Sequence, residues 1–283
     1  MYKIIFADID GTLRNSKREI SQRTKDDIEK LKKMGIEVIM CSGRPRCEVE
    51  RVSRECNASR YIISSNGAEV YNYITKKVEY RNMVGINAIV KLYEIAQRED
   101  CIFVMNTGNI RIVNKYKYKD HTEIIPSEGI IKSAYDNNIM QCIIIDKDFE
   151  KMKRVREEIL KVEGIRIINE SKCFNNKSII PTDSIYCDIV DQDTSKGVAV
   201  ERVCEILNVK KEETIGIGDS YNDLELLEHV GYSVAMKNAV RGLKSKVDEV
   251  TNSNDLDGAA EFFEKIINGK IKWLEKYNKK EII

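Results

Sequence analysis

Residues 3–12 read KIIFADIDGT, an apolar run that stops abruptly at two aspartates. The run is continuous rather than alternating, which is typical of a strand covered on both faces in a parallel sheet. Asp8 and Asp10 are two positions apart, so both carboxylates project to the same side of an extended chain. Like charges this close raise one another's pKa unless a cation lies between them. The stretch therefore predicts either an acidic surface turn or a cation site at the end of a buried strand.

Strand and helix patterns alternate on both sides of this stretch. After it, the pattern predicts a helix over 21–35, a strand over 36–44, a helix over 45–56 and a strand over 61–67. The same alternation returns near the end, with helices over 194–208, 220–230 and 256–268 and strands over 214–219, 232–236 and 248–251. Strands separated by helices at this spacing indicate an α/β fold with a parallel sheet and crossover helices.

The middle of the chain has a different pattern. It predicts helices over 85–100 and 149–164, two strands around the Thr107-Gly108-Asn109 turn, and strands over 139–146, 165–169 and 184–190. Such hairpin-rich α+β character between two α/β halves indicates an inserted domain. We expect this domain over 84–189, with a core domain made of 1–83 and 190–283.

Composition narrows the classes of protein that the chain can belong to. Lys plus Arg (47) nearly balance Asp plus Glu (46), which argues against general attraction to nucleic acid or membrane. The eight cysteines lack a C-x-x-C pair and are expected to be reduced, mostly buried thiols. His121 and His229 are the only histidines, which argues against a His-based metal site or a Ser-His triad. No apolar run reaches the about 18 residues of a membrane span.

These features predict a cytoplasmic protein without a nucleic-acid, membrane or obligate protein partner. The N-terminal apolar run contains Asp8 and is therefore not expected to be a signal peptide. The basic segment 268–283 is interpreted as a solvated helix end rather than a binding patch.

Polar side chains follow four of the predicted strands or open the helices behind them. Because ligands of parallel sheets lie beyond the carboxyl ends of the strands, these residues are expected to meet at one edge. Carboxylate oxygens without His or Cys suit Mg²⁺. A hydroxyl, a backbone amide at a helix start, an ammonium and a side-chain amide suit phosphate. Metal-assisted phosphoryl transfer is the chemistry that this set predicts, from Asp8, Asp10, Ser42, Gly43, Lys196, Asp219, Asn222 and Asp223.

The motifs DIDGT, SGRP, SKG and GDSYND resemble, in this order, the four signature motifs of the haloacid dehalogenase (HAD) superfamily. The stretch SSNGAEVYN with the insertion behind it, and the segments VAMKNA and VTNSNDLDGAAEFF, resemble Cof-type, class IIB phosphatases. The resemblance spans nearly the whole chain. It implies a Rossmann-like core with an inserted cap of the C2B type that closes over the site and selects the substrate.

The resemblance also implies a role for each motif residue. Asp8 would be the nucleophile that forms an aspartyl-phosphate, and Asp10 would be the acid and base. Mg²⁺ would be held by the Asp8 side chain, the Asp10 carbonyl and Asp219. The remaining implied roles are phosphoryl binding by Ser42, Gly43 and Lys196 with Asn222, orientation of Lys196 or metal-bound water by Asp223, and support from Thr12 and Arg44, the latter contacting the site or bracing the cap.

Three functions remain open at this point. The favoured one is a Mg²⁺-dependent phosphatase of a small phosphorylated metabolite, such as a sugar phosphate, nucleotide or cofactor phosphate. The alternatives are a phosphomutase and a regulator that binds a phosphometabolite without hydrolysing it. Arg14 and Lys237 stand where other residues are more usual; they could favour an acidic substrate, but solvated side chains are the preferred interpretation. Cys41, next to Ser42, is expected to fill the core.

Overall fold

The computed structural model of the protein describes residues 2–115, 122–125, 127–173 and 184–271. His121 and the basic segment beyond residue 271 lie outside these ranges. The strands are β1 (Ile4–Ala7), β2 (Glu37–Cys41), β3 (Tyr61–Ser64), β4 (Glu69–Asn72), β5 (Lys77–Arg81), β6 (Ile102–Asn106), β7 (Arg111–Val113), β8 (Thr122–Ile124), β9 (Gln141–Asp146), β10 (Ile165–Cys173), β11 (Ser184–Asp191), β12 (Thr214–Gly218), β13 (Tyr232–Ala235) and β14 (Glu249–Val250). The helices are α1 (Gln22–Lys33), α2 (Arg46–Glu55), α3 (Ile86–Arg98), α4 (Ser127–Asp136), α5 (Phe149–Ile159), α6 (Lys196–Leu207), α7 (Leu224–Glu228), α8 (Arg241–Lys244) and α9 (Gly258–Ile267).

The larger sheet has the strand order β14-β13-β12-β1-β2-β3-β4-β5. Strands β14 to β3 in this order are parallel, which confirms the predicted α/β fold with a parallel sheet. The apolar run of β1 is fully enclosed, and Phe6 packs in one core with Ile39, Phe262 and Phe263. Burial on both faces explains why the run is continuous rather than alternating.

Strand β1 lies where the strand order of this sheet reverses. The chain leaves β1 toward β2 and β3 on one side, and returns later as β12, β13 and β14 on the other. In the register, Ala7 pairs with Ile217, so the residues that follow β1 and β12 come out side by side. A reversal of this kind opens a crevice at the carboxyl ends of the two strands, where α/β proteins bind ligands.

The antiparallel hairpin β4-β5 extends the larger sheet beyond β3 and is absent from the sequence-based expectations. Its second strand, β5, reads KVEYR and is only partly buried. It therefore shows little of the apolar content from which the other strands are identified.

The smaller sheet has the order β10-β11-β9-β6-β7-β8 and is mostly antiparallel. Strands β6 and β7 flank the Thr107-Gly108-Asn109 turn, as the sequence predicts. Helices α3 and α5 cover one face, where Leu92, Phe103 and Ile144 are buried together. The short strand β8 and the helix α4 are further elements that the sequence does not predict.

The predictions about the cysteines and about membrane-spanning helices can be checked in the described residues. Of the seven cysteines whose side chains are described, five are buried and all seven are free thiols, as expected. Cys41 is buried in the core with the residues around β2. Among the described helices, none combines the length and the apolar character that crossing a membrane would need.

Candidate active site

Asp8 and Asp219 lie next to each other in the crevice, because they directly follow the paired strands β1 and β12. The Asp8 amide donates to the carbonyl of Ile217 (3.0 Å), which continues the pairing by one residue. A single turn, Tyr221–Asp223, then brings Asp223 back to the same place. Its Oδ2 accepts the backbone N–H groups of Asp219 (3.0 Å) and Ser220 (2.9 Å), so the turn itself orients this carboxylate.

Lys196 joins two of these carboxylates. Its Nζ donates to Oδ1 of Asp8 and to Oδ1 of Asp223, both at 2.6 Å, and the lysine is only 1% exposed. Lys196 is the first residue of α6, where Ser195 caps the helix by accepting from the Val198 amide (3.1 Å). A cation is unfavourable at a helix N-terminus. Burial would lower the pKa of Lys196 further, but the charges of Asp223 and Asp8 outweigh it and raise the pKa well above its usual value.

Oxygen atoms of Asp8, Asp219 and Asp223 lie within 4.8 Å of one another. Burial raises the pKa of Asp8 well above its usual value and that of Asp219 to about 7, and the neighbouring Asp223 charge adds to both shifts. When all three carboxylates are ionised, they and the Lys196 ammonium together carry a charge of −2, which a divalent cation would neutralise. An all-oxygen donor set of this kind fits Mg²⁺.

The loop after β1 is shaped around Asp219. Thr12 Oγ1 donates to Oδ1 of Asp219 (3.0 Å). Gly11 has a φ of +87°, and a Cβ at this position would lie 2.4 Å from Oδ2 of Asp219. Only glycine combines this backbone conformation with this close approach. Asn238, in the VAMKNA segment, donates to the Gly11 carbonyl (2.8 Å) and holds the loop from the other side.

We expect Asp219→Asn to abolish stabilisation by Mg²⁺ and, at the same time, to make the metal-free protein more stable. Since the pKa of Asp219 in the folded protein is about 7 against an ordinary 3.8, ionisation of this group costs the metal-free protein stability as the pH rises between these values. The variant avoids this cost, and its metal-free form should be more stable by about 1–2 kcal/mol at about pH 8 and by less at about pH 5. Thermal unfolding with EDTA and with excess Mg²⁺ measures both effects. Mg²⁺ should stabilise the wild type and not the variant; equal stabilisation of both proteins would remove Asp219 from the metal site.

The carboxylate of Asp10 lies outside this cluster and is bound by arginine. Arg44 holds it with a fork, donating from Nη2 to Oδ1 (2.9 Å) and from Nε to Oδ2, and Arg14 Nη1 lies 3.5 Å from Oδ1. Burial would raise the pKa of Asp10, but the ion pair with Arg44 outweighs it and holds the pKa below its usual value. Asp10 is therefore ionised in this conformation.

Arg44 continues into a chain of ion pairs that reaches the smaller sheet. It also pairs with Glu48 on α2, and Glu48 Oε1 lies 2.9 Å from Nη1 of Arg111 on β7. Close by, the turn between β6 and β7 docks on the start of α2, where the Cys47 amide donates to the carbonyl of Gly108 (3.2 Å). Arg44 thus contacts Asp10 and also links it, through Glu48, to the smaller sheet.

Ser42 and Gly43 form a third group at the end of β2. Ser42 is 3% exposed, and its Oγ accepts the Arg44 amide (3.3 Å). A Cβ on Gly43 would lie 2.8 Å from the side-chain amide of Asn66, so the absence of a side chain permits this contact. Asn222 Nδ2 in turn donates to Oδ1 of Asn66 (2.9 Å).

Asn66 is a candidate site residue that the sequence reasoning missed. It is 2% exposed and has a left-handed φ of 58°, and within the described residues its Nδ2 finds no hydrogen-bond partner. A buried donor without an acceptor is costly, so this group is suited to an incoming anion. A cavity of about 90 Å³ lies here, lined in part by Asn66, Lys196, Asn222 and Arg166 of β10. The Asn66-Gly67 pair at a strand end was the available signal, since Asn tolerates left-handed backbone.

Lys237 and Arg14, which stand where other residues are more usual, differ in how far their side chains are exposed. Lys237 is exposed, as a solvated side chain should be. Arg14 is only 7% exposed and contacts Asp10, so the solvated interpretation was wrong for this residue. The loop after β1 turns back on itself at this residue, since the Arg14 amide donates to the Ile9 carbonyl (2.8 Å), and local sequence does not reveal this turn.

Comparison with known proteins agrees with this geometry. Residues 5–263 match the haloacid dehalogenase-like hydrolase family. The 5-amino-6-(5-phospho-D-ribitylamino)uracil phosphatase YcsE of Bacillus subtilis is 27% identical over 258 residues, covering 91% of this chain and 93% of that protein. A crystal structure of a haloacid dehalogenase-like hydrolase from Bacteroides thetaiotaomicron has a TM-score of 0.81 at 27% identity, covering 94% of this chain and 100% of that one.

A further solved structure, described as the HAD subclass IIB sugar phosphatase BT4131, shares the fold with a TM-score of 0.76 at 20% identity. The match covers 95% of this chain and 100% of the chain of that structure. The ordered motifs, the carboxylate cluster at the reversal of the strand order and the family match agree with one another. The chain belongs to the haloacid dehalogenase-like hydrolase family.

Proposed function

We propose that the protein hydrolyses the phosphomonoester of a small metabolite with Mg²⁺, through an aspartyl-phosphate on Asp8. The observation that supports this most strongly is the buried Lys196, which holds one oxygen of Asp8 beside a carboxylate cluster suited to a divalent cation. The B. subtilis relative is named for a phosphorylated metabolite, which agrees with a substrate of this size.

In the first step, Oδ2 of Asp8 attacks phosphorus while Oδ1 stays bound to Lys196. The new O–P bond forms as the bond to the leaving oxygen breaks, and the leaving oxygen takes that electron pair and a proton from Asp10. In the second step, water attacks the phosphoryl group, its proton passes to Asp10, and the Asp8 carboxylate is restored. The first step needs protonated Asp10, which the second step regenerates, and the ionised form that the ion pair with Arg44 favours is the one that the second step needs.

We propose that Mg²⁺ is held by the Asp8 carboxylate, the Asp10 carbonyl and Asp219, with Asp223 orienting Lys196. When bound, the ion supplies the positive charge that lets carboxylate and phosphoryl oxygens approach each other. The phosphoryl oxygens are proposed to bind the Ser42 hydroxyl, the Gly43 amide, Lys196, Asn222 and the unpaired amide of Asn66.

The inserted domain, for which we keep the limits 84–189, is proposed to act as a cap over this site. Its contacts with the core near the reacting groups include the β6-β7 turn on α2 and Arg166 of β10, whose Nη2 donates to Glu225 of α7 (2.5 Å). Closure at these contacts would exclude water and place cap side chains on the leaving group.

Phosphate release tests the proposal directly. The purified protein should release phosphate from 4-nitrophenyl phosphate and from members of a panel of sugar phosphates, nucleotides and cofactor phosphates when Mg²⁺ is present, and not when EDTA removes it. Asp136→Asn, which changes an exposed carboxylate at the end of α4, serves as the control and should keep full activity. The absence of phosphate release from all substrates, or an isomerised product without phosphate release, would contradict the proposal.

The ion-pair chain from Arg111 to Asp10 predicts a dependence on the leaving group. Without Glu48, Arg44 loses its second anchor; without Arg111, Glu48 loses the partner that fixes it, so in both variants Asp10 is held less firmly in place. Glu48→Gln and Arg111→Met should therefore lower kcat/KM for an alkyl phosphate, which needs a proton from Asp10, by about tenfold or more. The kcat/KM for 4-nitrophenyl phosphate should change little, because it reports the steps up to departure of a leaving group that needs no proton.

Arg98→Met is the matched control, because it breaks another ion pair of the inserted domain, the one with Glu158. Both substrates should be hydrolysed by this variant at wild-type rates. Equal losses on both substrates in Glu48→Gln and Arg111→Met would show that the chain supports the site as a whole and not Asp10 in particular.

A further inference from the structure

A large cavity, separate from the carboxylate cluster, opens beside Asp10. It has a volume of about 1150 Å³ and lies between the loop after β1, the start of α1 and one side of α2. Two residues that line it, Arg14 and Arg44, are those that contact the Asp10 carboxylate. A ligand in this cavity would therefore lie next to the group that protonates the leaving oxygen.

The walls of the cavity carry an excess of positive charge. Five cationic side chains line it, against three carboxylates; the cations are Arg14, Arg18, Lys25, Arg44 and Arg51, and the anions Glu19, Glu48 and Glu55. Two of the three carboxylates are already neutralised, Glu55 by Arg51 (2.8 Å) and Glu48 by two arginines. Arg14 and Arg44 also share the carboxylate of Asp10, so the excess positive charge that remains lies on the side of the cavity formed by the β1 loop and α1.

Lys25 and Arg14 are the two cations of this side best placed for a ligand. Lys25 is half-buried, and the described residues offer its ammonium neither a hydrogen bond nor an ion pair. Arg14 is 7% exposed, yet its contact with Asp10 is long, 3.5 Å, for a guanidinium with five N–H donors. Asn254 fixes the loop at this point by donating to the Arg14 carbonyl (2.9 Å).

The N-terminus of α1 adds to the positive potential. Ser21 caps this twelve-residue helix by accepting the Thr24 amide (3.1 Å), and Ser21 and Gln22 line the cavity. The first turn reads Gln-Arg-Thr-Lys, so the helix begins on neutral and basic side chains. Backbone N–H groups and the helix dipole favour an anion at such an end.

We propose that this cavity binds a second anionic group, a carboxylate or a further phosphate, carried by the leaving group of the substrate. The inference rests on the proposed phosphatase function and narrows its substrate class to phosphomonoesters with an additional negative charge. Arg14 and Lys25 are the residues that recognise this group, and the group itself is unchanged by the reaction.

Two matched pairs of substrates test the inference and separate the two kinds of anion. 3-Phosphoglycerate and glycerol 3-phosphate differ in a carboxylate, and fructose 1,6-bisphosphate and fructose 6-phosphate differ in a phosphate. For at least one pair, the wild-type kcat/KM should be higher for the member with the extra anion by about tenfold or more, as a charge-assisted hydrogen bond in a partly enclosed site provides. The pair that shows the preference identifies the anion.

Arg14→Gln and Lys25→Gln should each reduce this ratio toward one. The ratio is the measured quantity because any effect on the chemistry common to both substrates cancels. Lys25→Gln changes a half-buried side chain at a helix surface and keeps the test valid if Arg14→Gln does not fold. Lys91→Gln, on the exposed face of α3, is the control and should leave the ratio unchanged.

Failure of this inference differs from failure of the proposed function. Hydrolysis of 4-nitrophenyl phosphate by the wild type, with ratios near one for both pairs or ratios that neither variant changes, would overturn the second anion site alone. No Mg²⁺-dependent hydrolysis of any substrate would overturn the phosphatase proposal and this inference with it.

Discussion

Asp8→Asn is expected to lower kcat for 4-nitrophenyl phosphate by about 10⁴-fold or more, the size of effect that follows removal of a catalytic nucleophile. The amide cannot attack phosphorus, although it keeps the shape of the side chain and can still accept a hydrogen bond from Lys196 Nζ. Because the change removes one of three crowded carboxylates, the variant should fold at least as stably as the wild type without metal. Steady-state phosphate release with excess Mg²⁺, together with thermal unfolding, measures both effects.

The exposed Asp136→Asn change controls for the general effect of losing a carboxylate. A folded Asp8→Asn variant that retains a tenth or more of wild-type turnover would show that Asp8 is not the nucleophile. Loss of activity together with loss of folding would be a different failure, since it would give Asp8 a structural role that the geometry does not predict.

Lys196→Met is expected to destabilise the metal-free protein by about 3–5 kcal/mol, the cost of leaving buried charges unpaired. The ammonium is the shared partner of Asp8 and Asp223, and both carboxylates are buried. Methionine fills a similar volume, so the loss reports on charge rather than on packing. Urea unfolding with EDTA measures the free energy of unfolding, and activity should be lost as well.

The double variant Lys196→Met, Asp223→Asn separates the two roles of the lysine. Removing one of the two stranded carboxylates should restore part of the stability, whereas activity should stay lost, because the phosphoryl group would still lack its cation. Wild-type stability in Lys196→Met alone would contradict the description of these residues as a buried charge network.

Much of the fold and of the carboxylate cluster could be predicted from the sequence, because both follow from short-range patterns. Continuous apolar runs identify buried parallel strands, and strand ends of a parallel sheet meet at one edge. Asp8 and Asp219 directly follow two such strands, so their proximity could be inferred before the pairing of β1 with β12 was seen. Asp223 comes four residues after Asp219, and the single turn between them places it beside Asp219.

Other features depend on contacts between distant parts of the chain. Asn66 enters the site through a left-handed backbone conformation, and its unpaired amide becomes evident only once Gly43 and Asn222 are placed around it. The pairing of Arg44 with Glu48 and Arg111 joins a helix of one sheet to a strand of the other. No periodicity encodes such a contact.

Arg14 shows the same limit in a single residue. Arginine is usually solvated, and the sequence around it is polar, which favoured an exposed side chain. The loop instead turns this residue inward, where it contacts Asp10 and lines the basic cavity. Whether a charged side chain is buried is decided by tertiary packing, not by its neighbours in the chain.

The central claim is that the phosphoryl group passes through Asp8, and trapping that intermediate tests it most directly. The wild-type protein is mixed with substrate and Mg²⁺, quenched in acid during turnover and reduced with borohydride, which converts an aspartyl-phosphate to homoserine. Peptide mass spectrometry should find homoserine at position 8 in the quenched sample and not in a sample without substrate. Turnover without modification at Asp8, or modification at another carboxylate, would contradict the proposed mechanism.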